Sequence, residues 1–120
     1  MRLLLLATFS AALIPLTATA QHITREGQVV RPVGPGAFEV PWRGRSGPRD
    51  FWCAAGDYAR YELNLSGNTR LFRTSPLPRR SGEAVRFSLS PEGAQPTGLA
   101  LIGGGNSISV AHARLQCDRR

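Results

Sequence analysis

Apolar and polar positions follow two periods along this chain, and the switch between them marks its elements. Ala37-Phe38-Glu39-Val40-Pro41-Trp42 alternates with a period of two and reads as a short strand. Pro41 has no N–H for a ladder, which predicts an edge position for that strand. From Phe51 the spacing turns helical. Trp52, Ala55, Ala59 and Leu63 fall along one side, while Asp57, Arg60 and Glu62 point elsewhere. Asp50 is placed to cap the start of this helix, and Ser66-Gly67-Asn68 ends it. Ala54, Ala55 and Gly56 are small enough to let the helix approach a sheet closely.

Period two returns afterwards. Thr69 to Thr74 forms a short strand around Leu71 and Phe72, and Pro76 to Gly82 is a loop. Ala84 to Ser90 alternates most cleanly, with Val85, Phe87 and Leu89 on one face and Arg86, Ser88 and Ser90 on the other. Leu99 to Ile102 reads as a short strand, Gly103-Gly104-Gly105-Asn106 as a turn, and Ile108 to Cys117 as the final strand. That last segment changes phase, from Ile108 and Val110 to Ala111, Ala113, Leu115 and Cys117, as a bulge would require. The elements sum to an α+β domain: one helix packed on a small antiparallel sheet. A small barrel of the same strands, plugged at one end by the helix, is the alternative.

The ends of the chain set its organisation. Met1 and Arg2, the apolar run Leu3 to Leu16 and the small residues Ala18-Thr19-Ala20 make the three-part pattern of a secretory signal, with cleavage expected after Ala20. The run is shorter than the roughly 20 residues of a spanning helix, so no transmembrane segment is expected in the mature chain. Residues 21–36 hold two prolines and few large apolar residues, and read as an irregular arm. Residues 37–120 form the single domain. Periplasmic or secreted localisation follows from the signal.

Export changes the reading of the two cysteines. An even count in an oxidising compartment favours a disulfide between Cys53, in the first turns of the helix, and Cys117 at the end of the last strand. A reactive thiol at Cys53 is the competing reading, but no second cysteine stands nearby in sequence to form a redox pair. His112 could serve as a base, with Asp57 orienting it and Ser109 or Ser88 attacking, though no nucleophile-elbow motif is present. His22 and His112 belong to no ligand cluster, so neither a metal nor another cofactor is expected. The glycine-rich Gly103 to Ser107 lacks the following helix and the lysine of a phosphate loop.

Charge adds the last element. All 15 basic residues are arginine; without Arg2, 14 face 8 acids, a net of +6. A GC-rich genome gives such a bias without selection, and that explanation is preferred for the absence of lysine. The positions matter more. Arg43, Arg45 and Arg49 crowd one loop, and Arg70, Arg73, Arg79, Arg80 and Arg86 crowd a second region. If they converge near Trp42 and Phe72, they form a patch for an anionic envelope polymer, lipid headgroups or an acidic protein. Intracellular nucleic acid is not expected as a partner of an exported chain.

Trp52-Cys53-Ala54-Ala55-Gly56-Asp57-Tyr58-Ala59 and Val85-Arg86-Phe87-Ser88-Leu89-Ser90-Pro91 resemble segments of uncharacterised small exported proteins of alphaproteobacteria. The resemblance spans Phe38 to Cys117. It implies export and one compact domain, and carries no activity. The leading expectation is therefore a non-enzymatic protein that binds an anionic partner at the cell envelope. A small hydrolase or thiol enzyme using His112, Asp57 or Cys53 is the second, and an accessory subunit of an envelope complex the third.

Overall fold

The computed structural model describes residues 7–13, 21–44, 47–100 and 105–118. Its described strands form one antiparallel sheet in the order β1-β2-β3-β5-β4-β6. These are β1 (His22–Ile23), β2 (Val29–Gly34), β3 (Ala37–Val40), β4 (Arg70–Arg73), β5 (Val85–Ser88) and β6 (Ser107–Ser109). Register follows the alternation: Phe38 lies opposite Phe87, and Val40 opposite Val85. All four are buried, so one face of the sheet is dry.

Helix α1 (Pro48–Asp57) covers that face and runs on into a π-helical turn, Tyr58–Glu62. Gly47 is the N-cap and Pro48 takes the first helical position, where its missing N–H costs nothing. Asp50 therefore sits three residues inside the helix rather than at the cap. Its carboxylate reaches back and accepts the Gly47 N–H at 2.8 Å. Every residue from Phe51 to Asp57 is buried. The aromatic rings interlock: Trp52 meets Phe87 edge-on at 4.8 Å, and Phe38 lies 4.8 Å from Tyr58.

One helix packed on an antiparallel sheet, tied by a Cys53–Cys117 disulfide, is the arrangement expected from the sequence. The C-terminal segment departs from expectation. Strand β6 stops at Ser109, and α2 (Val110–Leu115) follows, then a 3-10 turn, Gln116–Asp118, that carries Cys117. The phase change is thus a change of period, not a bulge. Ser109 caps α2 by accepting the His112 N–H at 3.1 Å, and Val110 and Ala113, three apart, are its buried residues.

Gly56 faces α2 rather than the sheet. A Cβ there would lie 2.9 Å from Ala113 Cβ and 2.9 Å from the Arg114 amide nitrogen. Gly56→Ala is expected to push the two helices apart and cost about 1–3 kcal/mol. Urea denaturation checks it; an unchanged midpoint would mean that α2 yields freely.

Other departures have local causes. Residues 21–36, expected as an irregular arm, hold β1 and β2. Pro32 is tolerated because β1 reaches only Val29 and Val30, and a register irregularity between Pro32 and Gly34 follows. Strand β3 is interior, between β2 and β5, because it ends at Val40 before Pro41. Leu99 and Ala100 are irregular; the rest of that expected strand, with Gly103 and Gly104, lies outside the described residues, as do residues 1–6 and 14–20 of the expected signal.

Candidate anion-binding cleft

The alternation of β4 decides where its two arginines go. Leu71 is fully buried, so Arg73, two residues on, shares its inward face, while Arg70 lies outside. Arg73 is only 4% exposed. Its Nε donates to the Ser75 carbonyl at 3.1 Å, and its Nη2 is buried without a partner. Burial, and then the neighbouring Arg79 cation, pull Arg73 below the ordinary arginine value.

Arg79 comes from the loop after β4. Its guanidinium sits 5.0 Å over the Phe51 ring and donates to the carbonyls of Arg80 and Glu83 at 3.0 and 3.1 Å. Arg73 and Arg79 together line a cleft of about 260 Å³ with Phe51, Trp52, Leu77 and Pro78. Among the described residues no carboxylate pairs with either arginine. Two cations thus share a mostly apolar cleft with no counter-charge. A desolvated charge left uncompensated costs several kcal/mol. An oxyanion entering the cleft would offset that cost with charge-assisted hydrogen bonds.

The remaining arginines do not join them. Arg70 is exposed and holds the other side of the sheet edge, donating from Nη2 to the Ser107 carbonyl at 2.8 Å. Arg86 is 3.5 Å from Glu39, which Arg31 also binds at 2.7 Å. Arg43 lies in the loop after β3, with Nη1 at 3.5 Å from the Gly27 carbonyl. Arg80 is exposed beside Arg79. Arg49, in the first turn of α1, and His112 line an adjoining cleft that shares Pro48 and Gly98 with the first. Arg45 lies outside the described residues. Of the eight arginines singled out from sequence, the cleft gathers Arg73 and Arg79.

Cys53 and Cys117 are bonded to each other, with Cα atoms 4.9 Å apart, so no free thiol exists among the described residues. Asp57 lies close to both sulfurs, within a group spanning 4.8 Å. With the sulfurs consumed in the bond, that group retains one carboxylate as a ligand. Asp57 is itself buried and meets Arg114 Nε at 3.5 Å, while Arg114 Nη2 donates to the Tyr61 hydroxyl at 2.5 Å. Ser109 is engaged as the α2 cap. Of the groups expected for a relay with His112, Asp57 pairs with Arg114 and Ser109 caps α2, while the alternative Ser88 accepts the Ser90 N–H at 3.0 Å.

Burial pushes the Asp57 carboxyl above its ordinary value of 3.8, with Arg114 offsetting part of the shift. The folded state then binds the proton more tightly than the unfolded chain. This contribution to stability is complete below about pH 3.8 and is lost as pH rises through the folded value. Denaturation of the protein and of Asp57→Asn at several pH values should show the parent losing stability relative to the variant as pH rises. Parallel curves would contradict a raised Asp57.

The walls of the cleft were missed in the sequence. Leu77 and Pro78 stand directly before Arg79, and Phe51 and Trp52 read as core alone. The parity of Leu71 and Arg73 was the available signal.

Comparison with protein-family models, curated proteins and solved structures finds no match to this chain. The class that fold and site define is thus a disulfide-tied α+β domain with a doubly cationic cleft.

Proposed function

We propose that this protein is a small exported, non-enzymatic module, periplasmic or secreted, that binds an anionic partner at the cell envelope. The observation that carries the reading is Arg73: a buried guanidinium without a carboxylate partner, in a cleft it shares with Arg79. Structural arginines at such depth normally carry a counter-charge, because the desolvated ion is otherwise uncompensated. The secretory pattern of residues 1–20, the disulfide and the resemblance to small exported proteins support the location. The described residues hold no helix long and apolar enough to cross a membrane. A net charge of +6 on the expected mature chain draws anions toward the surface before they reach the cleft.

Retention on heparin and co-sedimentation with anionic vesicles, at low and at high salt, test this reading together with a panel of small oxyanions. Binding to at least one, weakened by salt as exposed charge is screened, is the expected result. Indifference to all of them would end it.

A further inference from the structure

The cleft limits what its anion can be. Its volume of about 260 Å³ equals the liquid share of roughly nine waters and falls just below the range of drug-sized pockets. That is room for a head group and a short body, not for a polymer.

Polar capacity is concentrated at one point. Trp52 spends its indole N–H on the Thr97 carbonyl at 2.9 Å, so it offers the cleft only its ring. Phe51 and Val85 add further apolar wall, and Leu77, 41% exposed, forms the lip. Leu77 also sits beside the cation. A position just above Gly98 lies 3.1 Å from Arg73 Nη1 and 3.8 Å from a Leu77 methyl. Head-group contacts and apolar contacts therefore meet within one side chain's length.

We infer that the cleft binds a small amphiphilic oxyanion, its carboxylate or phosphate head on Arg73 and Arg79 and its short apolar body against Trp52, Phe51 and Leu77. This rests on the anion-binding reading above and narrows it from an anionic partner to one chemical class. Carboxylate and phosphate heads share the bidentate chemistry of a guanidinium fork. The neutral alcohol of the same chain lacks it.

The test is a titration of the full exported chain carrying Trp42→Phe, so that Trp52 alone reports by fluorescence. Ligands are alkyl carboxylates and alkyl phosphates of increasing length, with hexanol and inorganic phosphate as controls. Affinity is expected to rise about tenfold for every two methylenes added, then to level off once the body fills the cleft. Whichever head binds more tightly identifies the source of the ligand. Arg73→Met should abolish the response. Because Arg73 is buried, so that its replacement also perturbs the fold, Leu77→Glu provides a second arm. Its carboxylate would enter the cleft that Leu77 and Arg73 both line, weakening binding about a hundredfold without lowering the melting temperature, since the new charge joins a cation that has no carboxylate partner. Equal affinity for hexanol, or no dependence on chain length, overturns the inference. If heparin or vesicles bind while every small amphiphile fails, the narrower claim falls and the general reading stands. If nothing binds, both fall.

Discussion

Replacing Cys53 and Cys117 with serine is expected to lower the melting temperature by on the order of 20 °C. The bond joins residues 64 apart in sequence, and closing a loop of that length removes about 4 kcal/mol of chain entropy from the unfolded state. The domain that depends on it is small, and total stabilities of such domains are about 5–15 kcal/mol. The cross-link also fixes one particular contact. It holds the 3-10 turn carrying Cys117 against α1, and with it the short α2, whose six residues would not form a stable helix alone. Melting the oxidised protein, the reduced protein and the double serine variant by circular dichroism separates the cross-link from side-chain effects. A shift of only a few degrees would mean that α2 docks on α1 through packing at Gly56 and Ala113 without help.

Trp52→Ala is expected to cost about 3–5 kcal/mol, and with it much of the fold's margin. The indole is 1% exposed, meets Phe87 edge-on at 4.8 Å and donates to the Thr97 carbonyl. Truncation leaves a cavity between helix and sheet and strips that carbonyl of its donor. Trp52→Phe separates the two losses, because it keeps most of the ring and removes the N–H; about 1–3 kcal/mol is expected for the orphaned carbonyl. Urea unfolding of both variants is the check. Near-equal costs would show that the hydrogen bond, not the ring volume, secures the helix to the loop at Thr97.

Alternation made β3 and β5 legible, because each places a hydrophobic residue inward at every second position, as in Val85 and Phe87, whereas β4 was found through Leu71 and Phe72 although its second inward position is Arg73. The disulfide was legible from compartment and count. The C-terminal helix was not, since Val110 and Ala113 fit a helix while Ala111, Ala113, Leu115 and Cys117 also fit a strand. Ser109 followed by Ala111, Ala113, Arg114 and Leu115 was the overlooked cue: a capping residue before good helix formers. Strands β1 and β2 pair with their neighbours in the chain, β1 with β2 and β2 with β3, but β1 is only two residues long and Pro32 interrupts β2, so neither shows a run of alternation. Asp57 read as lying off the apolar side of the helix, and its burial was not legible because its partner Arg114 is far along the chain. The cleft was half visible. Arg73 and Arg79 stood in the sequence among eight similar residues, and only the inward face of β4 and the fold of the loop at Leu77 and Pro78 set them apart.

The most direct measurement is residue-resolved. Arginine Nε–H signals can be followed by NMR as a short alkyl carboxylate or phosphate is added to the folded, oxidised protein. Arg73 and Arg79 are predicted to shift first and saturably, with Arg70 and Arg86 unmoved at the same concentration. Uniform, unsaturated shifts across all the arginines would contradict the account and leave the positive charge as a solvated surface.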